Sequence, residues 1–131
     1  MLDDDSLLDR FEALELAPGD FHHVEHVRLA FAILRREADF GRAAVRFRTA
    51  LIRFADSIGA TGKYHETLTW AYLALVHERM ACASYASSLE LLAQHPDLAD
   101  HKTGALARYY DLDAITASPL ARRVFVLPAP R

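Results

Sequence analysis

Apolar residues recur at three- and four-residue spacing through most of this chain, and no stretch of any length alternates apolar and polar residues as a half-buried strand does. This spacing puts apolar side chains on one face of a helix. The clearest case is a segment predicted to be helical from Arg42 to Ile58, where one stripe contains Ala44, Phe47, Leu51 and Phe54. The chain is therefore predicted to be all-α, with a core built from such stripes.

Turn and capping residues divide the chain into four longer helices. These helices are predicted at 7–16, 21–38, 42–58 and 63–84. Ser6 and Asp20 are the expected N-caps of the first two. The fourth is apolar nearly all round, which predicts a central position or a face that meets a partner. After Tyr85 the pattern predicts shorter helices, at 88–94, 104–109 and 120–124.

The predicted fold class is an all-α, four-helix core with short C-terminal helices and an extended tail that docks on the body. At 131 residues the chain has the size of one domain. We divide this domain into an N-terminal helix with its linker, a three-helix core that bears the site, and an irregular helical C-terminal part. Their bounds are 1–20, 21–84 and 85–131.

Charge and hydropathy exclude several kinds of partner. The formal net charge is −3 and acids and bases are interspersed, which gives no electrostatic reason to bind nucleic acid or an anionic membrane. A transmembrane helix requires a run of about 18 apolar residues, and the sequence contains no such run. The acidic N-terminus and the single cysteine, Cys82, predict a cytoplasmic protein. The expected partner is a small-molecule substrate.

Two short segments concentrate the residues that carry chemistry. Residues 21–28 contain three of the seven histidines, His22, His23 and His26, at the start of the second predicted helix. His65 lies in residues 64–69, which open the fourth. Short connections make successive helices antiparallel, so the starts of the second and fourth helices are expected at the same end of the bundle. Helices pack about 8–10 Å apart, a gap that two imidazoles and a metal ion can bridge.

We predict His23, His26 and His65 as ligands of a transition metal. A helix N-terminus disfavours imidazolium, and neutral imidazole is the form that binds metal. His23 and His26 both border the apolar face of their helix, whereas a pair of His22 and His26 is the alternative at i,i+4 spacing. An all-histidine site slightly favours copper, and iron or zinc also fit.

The preferred functional hypothesis is a metal-dependent enzyme that acts on a small organic molecule. Copper or iron would support an O₂-dependent oxidoreductase, and zinc a hydrolase or lyase. Tyr64 and Glu66 are the predicted catalytic residues, and the predicted substrate-binding residues are Arg28, Thr69 and Tyr72. The hydroxyl residues have packing as their alternative role, and Glu66 has pairing with the helix dipole.

A non-catalytic hypothesis stands beside this one. The histidines would then be polar core residues of a helical interaction or regulatory protein. A homodimer is possible under either hypothesis, because one side of the fourth predicted helix is apolar, with Trp70, Leu73 and Ala74.

Four motifs of this chain also occur together in a known family. The motif Phe-x-His-x-x-His-Leu-Arg-x-Ala-Trp is matched by Phe21, His23, His26, Arg28 and Ala30. The motif Tyr-His-x-Thr-x-Thr is matched by Tyr64, His65, Thr67 and Thr69. Tyr-Tyr-Ser and Ser-x-x-Ala-Arg-x-x-Phe-Val-x-Pro are matched by Tyr109, Tyr110, Ser118, Ala121, Arg122, Phe125, Val126 and Pro128. From Phe21 on, the chain resembles this family of small, mostly uncharacterised bacterial helical proteins.

This resemblance implies no particular activity, but it bears on two positions. It favours His23 over His22 as the partner of His26, and it implies a defined packing role for Arg122 and for residues 125–128. The departures from the family pattern are Val27, Phe31 and Asp111.

Overall fold

Seven α-helices and four 3₁₀ turns form the regular structure of residues 1–130, the part of the chain that this computed structural model describes, and no strand occurs there. The helices are α1 (Asp4–Glu12), α2 (His23–Arg36), α3 (Phe40–Ser57), α4 (Glu66–Cys82), α5 (Ser88–Gln94), α6 (Leu112–Ala117) and α7 (Pro119–Arg123). The 3₁₀ turns are Pro18–Asp20, Thr61–Lys63, Pro96–Leu98 and Ala105–Arg108. The predicted all-α fold class is confirmed.

Local capping moves several helix starts away from their predicted positions. Asp3 rather than Ser6 caps α1, because its Oδ1 accepts the Ser6 N–H at 2.8 Å. Asp20 belongs to a 3₁₀ turn, so α2 begins only after His22. The start of α4 is likewise later than predicted, because His65 itself is the N-cap. The histidines therefore lie at the boundary between turn and helix.

The most deeply buried helix is α2, and α4, predicted to be central or to meet a partner, packs against α2, α3 and α7. Eight consecutive residues, Val27–Leu34, are all buried. This helix packs against α1, α3, α4 and α5, which leaves only its ends open. Part of the predicted dimer face of α4 is buried within the subunit, since Leu73 is 1% exposed. The remaining residues of that face, Trp70 and Ala74, are half-buried and exposed.

A buried ionic network joins Arg28 to α1 and α5. The Arg28 guanidinium lies 3.4 Å from the Asp4 carboxylate and donates from Nε to Ser88 Oγ at 2.9 Å. Ser88 in turn donates its backbone N–H to Asp4 at 2.7 Å. Because a buried guanidinium needs a carboxylate partner, Arg28 faces α1 and α5. Arg28 is not part of the lining of the histidine-lined cavity described below, and its role in substrate binding stays a prediction.

The extended C-terminal tail docks on α4 through the buried hydroxyl of Thr67. Thr67 Oγ1 lies 2.7 Å from the carbonyl oxygen of Ala121 and accepts the Val126 N–H at 3.1 Å. Tyr110 adds a bond from its hydroxyl to the Val126 carbonyl at 2.8 Å. Arg122 donates to the carbonyl of Gly62 at 2.9 Å, so the C-terminal segment is tied to the turn before α4. These bonds give Arg122 and the tail defined packing roles.

No helix within the described range is long and apolar enough to cross a membrane.

Replacing Thr67 by Val is expected to release the tail. The isosteric change leaves the Val126 N–H without its acceptor, and an unmet buried polar group costs about 1–3 kcal/mol. We expect urea unfolding to show a loss of this size, and hydrogen exchange to show faster exchange at Val126. Thr49→Val, at an exposed position of α3, is the matched control. A Thr67→Val protein with unchanged protection of the Val126 amide would contradict the docking role of Thr67.

Candidate functional site

The two histidine segments line one cavity of about 700 Å³. Its walls come from the start of α2, the end of α3, the start of α4 and the short helix α6. The three long helices meet there because α3 returns the chain to the end of the bundle where α2 begins. The histidines of the lining are His22, His23, His26, His65 and His101. The apolar wall includes Phe21, Phe47, Leu51, Phe54 and Leu68.

His26 is a half-buried imidazole without a protein partner. Its ring packs against Phe21, with 4.4 Å between the ring centroids, and neither nitrogen has a hydrogen bond within residues 1–130. No side-chain nitrogen or oxygen in this range is both fully buried and unpaired, so the His26 nitrogens retain contact with open space. Burial lowers the pKa of His26 to about 3, and His23 adds to the effect. His26 is therefore neutral at physiological pH and presents its nitrogens to the cavity.

His23 has one nitrogen occupied and one available. Its Nε2 lies 2.8 Å from the carbonyl oxygen of Leu98. Since a carbonyl only accepts, Nε2 carries the proton, and Nδ1 has the free lone pair in the neutral ring. Burial lowers the pKa of His23; the bond to Leu98 opposes this and the nearby His101 reinforces it. The His23 ring lies 4.8 Å from that of Tyr72 and 5.4 Å from that of His101, measured between centroids.

His65 differs, because both of its nitrogens are engaged by the backbone. Its Nδ1 accepts the Leu68 N–H at 3.1 Å, and its Nε2 donates to the carbonyl of Ile115 in α6 at 2.9 Å. Burial lowers the pKa of His65, which keeps Nδ1 free to accept. No group of three or more His, Cys, Asp or Glu side chains in residues 1–130 is placed to hold a metal ion. Coordination of one metal ion by His23, His26 and His65 would thus require His65 to give up one of its two hydrogen bonds.

The two predicted catalytic residues are bonded to each other. Tyr64 lines the cavity, but its hydroxyl donates to Glu66 Oε1 at 2.5 Å. Glu66 also accepts from Arg48 Nε at 2.9 Å and is not part of the cavity lining. Burial acts to raise the pKa of Glu66, but the bonds from Tyr64 and Arg48 outweigh it and lower that pKa. Glu66 is thus an ionised, paired carboxylate outside the cavity lining, and its catalytic role stays a prediction.

The predicted substrate-binding residues of α4, Thr69 and Tyr72, both line the cavity, but they differ in the hydrogen bonding of their hydroxyl groups. Thr69 donates its hydroxyl to the carbonyl of His65 at 2.7 Å, so its proton is committed to the helix. The Tyr72 hydroxyl has no hydrogen-bond partner within the described range. Burial, with a contribution from Asp100, raises the pKa of Tyr72 to about 12. Tyr72 is thus a neutral donor available to a ligand.

Three parts of the cavity lining lay outside the sequence-based prediction. One is α6, which contributes Leu112 and Thr116. Its signal was present, because Asp111 caps the helix and accepts the Ala114 N–H at 3.2 Å. The other two are His101, which lies in an irregular segment, and Lys63, which ends the 3₁₀ turn before α4.

Comparison with known proteins gives no match to a family model, to a curated protein or to a solved structure. The family resemblance carried by the His23, His26 and His65 motifs therefore stays a prediction.

Acid is expected to destabilise the metal-free protein through His26. Its pKa is 6.5 in the unfolded chain and about 3 in the folded protein, so the unfolded state takes up the proton first. Stability is then complete above pH 6.5 and is lost as the pH falls towards 3. By linkage the loss at pH 5 is about 2 kcal/mol.

Urea unfolding at pH 7.5 and pH 5, in a chelating buffer, measures this loss. The variant His26→Gln cannot titrate and should lose distinctly less stability between the two pH values. His77→Gln, which removes an exposed histidine of α4, should behave as wild type. The same acid sensitivity in His26→Gln and wild type would rule out a low pKa for His26.

Proposed function

We propose that this protein binds a small organic molecule in the cavity and acts on it through the neutral imidazoles of His23 and His26. The observation that supports the proposal most is the position of three half-buried, unpartnered polar groups on a largely apolar wall. These groups are His23 Nδ1, the His26 ring and the Tyr72 hydroxyl. A few convergent polar groups in a largely apolar concavity of 300–1,000 Å³ are typical of small-molecule sites.

The contrast with other histidines of the chain favours this over a purely structural role. His65 has both nitrogens bonded to the backbone. His95 is bonded on both sides as well, to Arg79 at 2.9 Å and to Tyr85 at 2.7 Å. Polar groups kept for structure are normally satisfied by protein in this way. His26 instead lacks any protein partner, which is the state expected of a group whose partner is a ligand.

A metal-dependent version of this function is the second candidate, and one observation favours it. His23 and His26 are three residues apart on α2, are both neutral, and each has a nitrogen available. Neutral imidazoles with free lone pairs suit copper, iron or zinc. The third ligand would be His65, released from Ile115, or His101, whose ring already lies next to that of His23. Copper or iron would allow O₂-dependent oxidation of the bound molecule, and zinc a hydrolytic or lyase reaction.

Filling the cavity is expected to abolish ligand binding. Leu51 is 6% exposed and belongs to the apolar wall, so Leu51→Trp places an indole in the space. Ligand-observed NMR with a set of neutral aromatic fragments should detect binding to wild type and none to this variant. Val45→Trp, at a position of α3 that is 64% exposed, is the matched control and should keep binding. Equal binding by both variants would place the ligand site elsewhere.

Metal binding is tested separately, with tag-free protein. Cu²⁺, Zn²⁺ and Fe²⁺ are added in turn while the melting temperature is followed, and bound metal is measured by elemental analysis. We expect one ion per chain, and at 100-fold the dissociation constant a stabilisation of about 2.7 kcal/mol. His23→Ala and His26→Ala should lose both signals, and comparison of His65→Ala with His101→Ala identifies the third ligand. A metal response unchanged in His23→Ala and His26→Ala would exclude this site.

A further inference from the structure

The lining of the cavity contains a cationic side chain and no acidic one. The chain has 18 acidic residues among 131, yet none of the residues that line the cavity is acidic. The only formally charged side chain of the lining is Lys63, whose ammonium has no ion pair or hydrogen bond with any residue of the described range. A cation left unpaired at an acid-free cavity is therefore an electrostatic feature that a ligand can complement.

Three carboxylates within three residues of lining residues are bonded elsewhere. Glu66 is bonded to Tyr64 and Arg48. Glu25 accepts the backbone N–H of His22 at 2.8 Å. Asp100 accepts the N–H groups of Lys102 and Thr103 at 2.9 and 3.0 Å. None of them pairs with Lys63, although the charge of Asp100 acts on His23 and Tyr72. The starts of α2 and α4 at the cavity add positive potential.

The apolar wall and the neutral donors define the rest of the ligand. Phe21, Phe47 and Phe54 offer rings against which a flat or alkyl body can pack. His26 and Tyr72 offer a neutral imidazole and a phenol to a second polar group. The lining contains no arginine, the residue that suits a doubly charged phosphate, so a single carboxylate is the better complement to one lysine.

We propose that the ligand of this cavity is a small monocarboxylate with an aromatic or alkyl body, whose carboxylate pairs with Lys63. This inference rests on the proposed small-molecule function and specifies its substrate class. The body packs on the phenylalanine wall, and a hydroxyl on the ligand reaches His26 or Tyr72. The ligand is held by non-covalent contacts alone.

A matched set of probes tests the charge preference. These are 4-hydroxyphenylacetate, its neutral amide, the corresponding amine, and phenyl phosphate, each titrated by NMR at low salt. An exposed ion pair is worth about 1 kcal/mol, so the carboxylate should bind about fivefold more tightly than the amide. The amine should bind most weakly, and the preference should shrink as salt is raised.

The two lysines of the chain provide the variant and its control. Lys63→Gln should bring the carboxylate and the amide to equal affinity, whereas Lys102→Gln, at an exposed lysine outside the lining, should keep the preference. Both substitutions are at exposed positions, so folding is preserved. Equal affinity of carboxylate and amide for wild type, tighter binding of the amine, or tighter binding of the phosphate overturns this inference alone. Absence of binding by every probe and every neutral fragment overturns the proposed function as well.

Discussion

The burial of α2 on all sides is the constraint on which the rest of this structure depends. Eight consecutive buried residues, Val27–Leu34, require four other helices around them. Polar groups are excluded from that stretch except for Arg28, which is tolerated because Asp4 and Ser88 satisfy it. On α2, polar side chains that could bind a ligand can therefore lie only near an end of the helix. Its first turn supplies His23 and His26, and it is this turn that opens into the cavity.

Hydrogen bonding divides the four histidines that are not exposed into two kinds. His65 and His95 each have both ring nitrogens bonded to other residues of the protein, as a structural residue does. His23 and His26 are half-buried and neutral, and between them they leave three ring nitrogens without a protein partner. Sequence position does not distinguish these kinds, since His23 and His65 both lie where a helix begins. Both rings donate Nε2 to a distant backbone carbonyl, that of Leu98 or Ile115. They differ at Nδ1, which in His65 accepts the Leu68 N–H and in His23 has no protein partner.

The sequence was sufficient to predict what depends on local periodicity and on the direction of the chain. The apolar stripe of α3 predicts its orientation, and the reversal through α3 predicts that His26 and His65 line the same cavity. Contacts between residues far apart in the chain could not be predicted from the sequence. The pairing of Arg28 with Ser88, 60 residues away, cannot be read from the spacing around Arg28, and so Arg28 was assigned to the substrate. The same holds for the carbonyl of Ile115, 50 residues from His65.

The bonds of His65 link the cavity wall to the chemistry proposed within it. Its ring caps α4 through Leu68 and bonds to α6 through Ile115, and α6 has no fully buried residue of its own. A metal ion bound at Nε2 would displace the Ile115 carbonyl, and α6 would then be held by its half-buried Leu112 and Ile115 side chains and by Arg122, whose guanidinium donates to the Thr116 carbonyl at 3.0 Å. Coordination by His65 therefore implies a more open cavity, whereas coordination by His101 leaves α6 closed. The identity of the third ligand would thus determine how freely a small molecule enters.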